Sequence, residues 1–241
     1  MEVVMAKRPA AKSAKAKVNK ARAARSAGKA RATDKAGTDH RDSAQRLRDS
    51  LLAQLATIGW RDLTFADIVS ASGVSMADAY RIYQSKLGVL RGVAQATDQA
   101  VLQSLTTDPL DGSPRDRLFD LIMRRLDQNS GHKPALSALL HDLRRHPAEA
   151  ACLTARLERS MSLVLDLAGL SNSGLRGTLR AKALTGLYLH VLRRWLKDES
   201  ADSAATMALL DKRLDQVERL LGFIRRTRPH APHGTHDHPT I

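Results

Sequence analysis

The side chains best suited to a chemical role lie between residues 63 and 90. Ser75, Tyr80 and Arg81 carry hydroxyl and guanidinium donors, and such donors bind the phosphates and base edges of nucleic acids. The chain shows no Ser-His-Asp order, no paired catalytic carboxylates, no glycine-rich phosphate loop and no Cys/His zinc spacing. We therefore predict a binding protein and not an enzyme, with no catalytic residue, no metal ligand and no cofactor.

Two short helices joined by a tight turn are predicted to position these donors. Thr64 can cap the first helix, whose apolar residues recur three and four positions apart. Gly73 can adopt the left-handed backbone of a sharp turn, and Ser75 can cap a second helix from Met76 to Tyr83. This spacing is that of a helix-turn-helix, whose second helix enters the major groove of DNA. Double-stranded DNA is therefore the predicted partner.

The rest of the chain is predicted to be all-α. Helical periodicity extends from about residue 42 almost to residue 226, and no segment alternates as a strand does. The predicted helices outside the helix-turn-helix are Ser43–Ile58, Leu87–Leu105, three that begin at Pro114, Pro134 and Pro147, Arg176–Lys197 and Ser203–Ile224. The last two are long and amphipathic, so they can form half of an intersubunit four-helix bundle or close the core of a monomer.

Positive charge is concentrated at the N-terminus. The net charge is +14, and residues 1–33 hold ten lysines and arginines against Glu2 alone. With almost no large apolar residue, residues 1–40 are predicted to form a disordered basic tail. This tail can bind phosphates without sequence preference, act as a solubilising extension or serve as a mitochondrial transit peptide. Residues 227–241 are predicted to form a second, His-rich disordered tail, whose histidines could bind a transition metal weakly.

Residues 43–90 resemble the TetR family of transcriptional repressors. The resemblance rests on Gly59, Thr64, Ile68, Val69, Gly73, Val74, Ser75, Tyr80, Tyr83, Ser85, Lys86 and Leu90. It implies a TetR-like fold with a helix-turn-helix DNA-binding domain over residues 41–90. It also implies an all-α ligand-binding and dimerisation domain over residues 91–226. A homodimeric, ligand-responsive repressor is the function that the resemblance implies.

The same resemblance assigns DNA contacts to individual residues. The matching positions are Thr64, Tyr80 and Lys86 for phosphates and Ser75, Met76, Ala77 and Arg81 for base edges. Met76 and Ala77 lack hydrogen-bond donors and can only touch a thymine methyl group. Asp78 can accept a hydrogen bond from cytosine but repels phosphate. We therefore expect base readout to be weak or narrow.

A TetR-like fold also implies an apolar ligand cavity among the middle helices. The candidate lining residues are Met123, Leu140, Met161, Leu165, Leu184 and Tyr188. Each of them could equally fill the core, because Met and Leu at helical spacing do so by default. The expected ligand is a small apolar effector or a lipid.

A second resemblance concerns the C-terminal helices. Residues 188–200 and 206–214, together with Gly59 and Trp60, are similar to the ubiquinone-biosynthesis accessory proteins, which share the TetR fold and bind lipids. Those proteins generally carry a terminal amphipathic membrane-binding helix, whereas this chain ends in a polar segment. The alternative function is therefore a lipid-binding accessory protein without sequence-specific DNA binding, for which the resemblance implies a place in ubiquinone metabolism.

Three further expectations concern burial and location. Trp60, directly after the first helix, is expected to fill the core, and the single cysteine, Cys152, is expected to be a buried thiol. The apolar stretches are shorter than the ~18 residues that a transmembrane helix needs, and the N-terminus lacks a secretory apolar block. We expect a cytoplasmic, nucleoid-associated bacterial protein with no integral membrane segment.

Overall fold

The computed structural model describes residues 39–200 and 202–221, with side chains up to residue 218. All regular elements in this part of the chain are helices, which confirms the all-α prediction. None of these helices combines the length and the apolar character needed to cross a bilayer. The basic segment up to residue 38 and the His-rich segment after residue 226 lie outside the described residues.

Three helices form the N-terminal module. They are α1 (residues 39–57), α2 (Phe65–Ser72) and α3 (Met76–Tyr83). Leu47, Leu51 and Leu55 of α1 are fully buried against Trp60 and Ile68. Burial of Trp60 confirms its expected place in the core.

The helix α1 ends one residue earlier than predicted. Ile58, its predicted last residue, is 49% exposed. The helix has already ended at residue 57, and Gly59 turns the chain with a φ of 82°. Ile58 therefore no longer follows the helical period that buries Leu51 and Leu55.

Six further helices follow the module in the described part of the chain. They are α4 (Lys86–Thr107), α5 (Pro114–Asp127), α6 (Lys133–Asp142), α7 (Pro147–Leu167), α8 (Gly174–Trp195) and α9 (Ala204–Leu221). Pro114 and Pro147 are the first residues of their helices, as predicted, because a first-turn N–H has no partner within the helix. Pro134 is instead the second residue of α6, since a 3₁₀ turn over Ser130–His132 leads directly into Lys133. The helix α8 begins and ends two residues before its predicted bounds.

The described residues enclose two hydrophobic cores. The first lies in the N-terminal module and also takes in Ala135 and Leu139 of α6. The second lies among α4, α5, α7, α8 and α9, around the buried Trp195. Leu136 of α6 packs against both cores. The helix α6 therefore connects the module to the rest of the protein.

The prediction of a buried Cys152 is wrong. The thiol is exposed near the start of α7. The packing side of this part of α7 carries Leu153 and Leu157. Cys152 precedes Leu153 by one residue, and a shift of about 100° around the helix turns it to solvent.

Candidate functional site

Both helices of the helix-turn-helix begin at the predicted caps. The Thr64 hydroxyl accepts a hydrogen bond from the Asp67 N–H at 3.2 Å, and the Ser75 hydroxyl accepts one from the Asp78 N–H at 3.1 Å. Gly73 between the helices has a φ of 66°, in the left-handed region where glycine is favoured. These contacts satisfy N–H groups that lack partners within the helix and fix the angle between α2 and α3.

The solvent-facing side of α3 carries the predicted base-edge residues. Met76 is 49% exposed and Tyr80 is 60% exposed, and Ala77 and Arg81 are exposed beside them. Ala79 on the opposite side is fully buried in the module core. We refer to Met76, Ala77, Tyr80 and Arg81 as the α3 face; Ser75, also exposed, lies at its N-terminal end.

Asp78 is bound within α3 itself. Its carboxylate accepts a hydrogen bond from the Ser75 hydroxyl at 2.5 Å and pairs with the Arg81 guanidinium at 2.7 Å. The negative charge that was expected to repel phosphate is therefore partly compensated by a cation on the next turn. To contact a base, the Arg81 guanidinium must either break its ion pair with Asp78 or contact the carboxylate and the base together.

The donors of Thr64 are both engaged by Asp67. The Thr64 N–H donates to Asp67 Oδ2 at 2.9 Å, and its hydroxyl donates to the same oxygen at 2.5 Å. These hydrogen bonds stabilise the carboxylate and lower the pKa of Asp67. A phosphate contact from the Thr64 hydroxyl would require it to turn away from Asp67.

Lys86 is half-buried and holds two carbonyls of the module, and it is also a candidate phosphate ligand. Its Nζ donates to the carbonyls of Trp60 and Leu63, both at 2.7 Å, and lies 4.3 Å from the centre of the Trp60 ring. Burial lowers the pKa of Lys86, against the opposing influence of nearby carboxylates. An ammonium has three N–H groups, so one remains for a phosphate. The sequence motif identified Lys86 but gave no sign of these carbonyl contacts.

Trp60 connects the module to α6 and α7. Its backbone N–H donates to Asp142 Oδ2 at 2.8 Å, and its indole N–H donates to Glu149 Oε2. Asp142 ends α6 and Glu149 lies in the first turn of α7. Neither acidic residue stood out in the sequence, because the partners are more than eighty residues apart.

A cavity of about 320 Å³ lies between α4, α5, α6, α7 and α8. Its walls include Leu140 and Tyr188, two of the six residues predicted to line it. The other four, Met123, Met161, Leu165 and Leu184, do not line it but belong to the packing of the second core. The helices α7 and α8 pack closely on each other, so Met161 and Leu165 of α7 and Leu184 of α8 are buried between helices and do not face open space.

Polar groups cluster on one side of the cavity. Arg125 and Arg156, which line it, both pair with the carboxylate of Asp98, Arg156 at 2.6 Å. The Ser160 hydroxyl donates to the same carboxylate at 2.8 Å. The Arg125 guanidinium also lies 5.5 Å from the centre of the Tyr188 ring. Burial raises the pKa of the Tyr188 phenol, so it is neutral and can donate a hydrogen bond.

One side of α8 exposes apolar residues near its start. Leu175 is 87% exposed and Leu179, one turn later, is 58% exposed. A methyl group added to Gly186, further along α8, would meet no atom within 4 Å. The other side of α8 packs against α7 and α9.

The fold can be compared with known proteins, although no family model and no curated protein sequence matches the chain. The structure is similar to the TetR transcriptional regulator from Nitrosomonas europaea ATCC 19718, with a TM-score of 0.59 and 21% identity over 73% of this chain and 98% of that one. It is also similar to a TetR transcriptional regulator from Rhodococcus sp. RHA1, with a TM-score of 0.54 and 14% identity over 76% of this chain and 99% of that one. The chain therefore has the all-α fold of the TetR transcriptional regulators.

Proposed function

We propose that this protein is a DNA-binding transcriptional regulator. The observation that carries the proposal is the α3 face, which presents exposed residues on a helix held by a capped turn. An α-helix with its side chains is about 10 to 12 Å across, and the major groove of DNA is about 12 Å wide. The α3 face can therefore enter the groove with its side chains toward the base edges.

Each residue of the α3 face has a contact that its chemistry allows. The Arg81 guanidinium can donate two hydrogen bonds to a guanine once it leaves Asp78, and Met76 and Ala77 can touch thymine methyl groups. The Tyr80 hydroxyl can donate to a phosphate. Thr64, Ser75 and Lys86 complete the proposed interface, Lys86 through the one N–H that Trp60 and Leu63 leave available.

The protein acts as a homodimer in this proposal, through α8 and α9. The exposed Leu175 and Leu179 lie on the side of α8 away from α7 and α9, and burying them against a second copy would remove apolar surface from water. A two-fold dimer would place two α3 helices in successive major grooves, about 34 to 36 Å apart.

Ligand response is proposed to act through α6 and α7. Both helices line the cavity, and both contact Trp60 of the module through Asp142 and Glu149. A ligand that prefers one arrangement of these helices shifts the population toward it. Repression is relieved if the ligand-bound arrangement moves the two α3 helices away from the spacing that DNA binding requires.

The test is a mobility-shift titration at physiological salt. It compares the intergenic DNA beside the gene that encodes this protein with a random duplex of equal length. We expect a preference for the intergenic fragment. Arg81→Gln should reduce that preference by about tenfold or more, because a bidentate contact to guanine is worth about 1 to 3 kcal/mol. Arg159→Gln, an exposed arginine on α7, is the matched control and should leave it unchanged. Equal binding of both duplexes by the unaltered protein would refute the proposal.

Two residues that bear on the lipid-binding alternative, Asp78 and Trp195, have other roles in the structure. Asp78 is paired with Arg81, so it does not imply that DNA recognition has been lost. Trp195 is buried in the second core, where the Lys133 ammonium lies 4.6 Å from the centre of its ring. The tryptophan is therefore part of the packing and offers no surface for a membrane.

A further inference from the structure

The charge of the cavity wall is of one sign. Among the described residues, four arginines line the cavity and no aspartate or glutamate does so. The arginines are Arg125, Arg144, Arg156 and Arg193. Arg144 and Arg193 are exposed, whereas Arg125 is only 4% exposed. The first two therefore lie where the cavity opens, and Arg125 lies at its inner end.

Arg125 and Arg156 share a single carboxylate, that of Asp98. Asp98 pairs with both Arg125 and Arg156, so this cluster carries one net positive charge. Asp98 and Arg125 are buried, and an uncompensated buried charge is costly. An anion that enters the cavity would balance this charge in a region where water screens it weakly.

The remaining wall is apolar. It consists mainly of leucine side chains: Leu90, Leu136, Leu139, Leu140, Leu153 and Leu157. A cavity of about 320 Å³ has room for roughly ten non-hydrogen atoms, since a water molecule occupies about 30 Å³ in the liquid. The space therefore suits a short hydrocarbon chain with one polar end.

We propose that the cavity binds a small anionic amphiphile, a carboxylate on a hydrocarbon chain of about eight carbons. The carboxylate lies beside Arg125 and Arg156, and the chain lies among the leucines. Tyr188, whose ring centre lies 5.5 Å from the Arg125 guanidinium and which is buried at the same end, supports the position of the guanidinium. This inference rests on the proposed function in one respect, since it names the chemical class of the effector.

The first experiment compares three probes of equal chain length by isothermal titration calorimetry: octanoate, octan-1-ol and octylammonium. Octanoate should bind at least about tenfold more tightly than octan-1-ol, because hydrogen bonds between charged groups contribute more free energy than hydrogen bonds to a neutral hydroxyl. Octylammonium should not bind. Equal affinity for octanoate and octan-1-ol would overturn the proposal.

Two variants locate the carboxylate. Arg156→Gln should reduce the affinity for octanoate to that for octan-1-ol, whereas Arg159→Gln, one turn away on the exposed side of α7, should leave it unchanged. Asp98→Asn should instead increase the affinity for octanoate, because it removes the anion that competes for both arginines. A loss of octanoate affinity in a folded Asp98→Asn protein, or a loss confined to Arg144→Gln and Arg193→Gln, would overturn the placement.

Folding and function are separated by two controls. Circular dichroism melting shows whether Arg156→Gln folds; if it does not, the probe series and Asp98→Asn carry the test. Charge-selective octanoate binding by a protein without sequence preference for DNA would support this inference and refute the proposed function. Intact DNA preference without selectivity for the carboxylate would refute this inference alone.

Discussion

Asp78 holds Arg81 on the α3 face, which affects how this face would meet DNA in the proposed function. Its side chain is within hydrogen-bonding distance of Ser75 and paired with Arg81, the strongest donor on the α3 face. Two consequences follow from this contact. The carboxylate supports the start of α3, and it holds the Arg81 guanidinium away from the bases. In the proposed function, part of the binding free energy is then used to separate Arg81 from Asp78.

Asp78→Asn should strengthen DNA binding. The substitution removes a negative charge from the α3 face and frees Arg81, so the affinity for any duplex should rise about fivefold, since an exposed charge pair is worth up to about 1 kcal/mol. Discrimination between intergenic and random DNA should change less than affinity does. Fluorescence anisotropy at several salt concentrations measures both quantities. Asp111→Asn, in the exposed loop before α5, is the control for loss of one charge elsewhere, and an equal gain there would contradict the argument.

At the scale of elements, Tyr83 at the end of α3 is fixed by α1 and α4. Its hydroxyl accepts a hydrogen bond from Arg48 of α1 at 2.9 Å. Its ring lies against Gly92 of α4, where an added methyl group would be 2.5 Å from the phenol oxygen. The glycine therefore permits α3 and α4 to approach closely, and the position of the α3 face depends on that approach.

Gly92→Ala should destabilise the protein and weaken DNA binding together. Forcing a methyl group into this contact should lower the free energy of unfolding by about 1 to 3 kcal/mol, measured by urea denaturation. Gly131→Ala, in the 3₁₀ turn before α6 with open space around it, should change the free energy of unfolding by no more than about 0.5 kcal/mol, because substitutions at exposed positions without close contacts have small effects. Similar losses at both positions would show that the Tyr83 contact is not the cause.

The contact between Trp60 and Glu149 allows a second prediction at the same scale. Glu149→Ala leaves the buried indole N–H without its acceptor, at a cost of about 1 to 3 kcal/mol. Glu149→Gln keeps an acceptor oxygen and should lose much less. Amide hydrogen exchange should locate the loss of protection in the turn after α1 and the start of α7. If alanine and glutamine behave alike, the hydrogen bond does not join the module to α7.

At the scale of the whole molecule, the arrangement of α6 between two cores relates the cavity to the α3 face. The same helix contributes Ala135 and Leu139 to the core of the module and Leu140 to the cavity wall. In the proposed function, a change at the cavity would reach the module through packed side chains and through the Asp142 contact with Trp60. The proposed dimer adds a second requirement, since two modules must keep the spacing of the major groove.

Leu179→Lys should separate the proposed dimer. A lysine in a buried interface must be desolvated without a partner, so sedimentation velocity at micromolar concentration should show a monomer with an unchanged circular dichroism spectrum. Binding to the intergenic DNA should weaken with it. Leu102→Lys, a partly exposed leucine of α4, is the control and should remain dimeric. A dimeric Leu179→Lys protein would place the interface elsewhere.

The helices and their caps could be predicted from the sequence because they depend on neighbours within a few residues. Thr64 and Ser75 accept hydrogen bonds from N–H groups three positions away. Gly73 turns the chain through its own left-handed φ, and Pro114 and Pro147 act on their own helical turns. The period of the apolar residues gave the all-α fold for the same reason. The predictions for Ile58 and Cys152 were wrong. Ile58 lies after the end of α1, and Cys152 lies on the solvent-facing side of α7.

The tertiary structure alone decided which distant side chains meet. Lys86 binds the carbonyls of Trp60 and Leu63, Trp60 reaches Glu149, and Asp98 pairs with Arg156 across 58 positions. The sequence could name cavity residues only by type, so two of the six line the cavity and four pack in the core. Local hydrogen bonds and periodicity depend on residues that are close in sequence, whereas burial, charge pairing and open space depend on how whole helices pack. The charge of the cavity wall, and with it the proposed ligand class, belongs to the second kind.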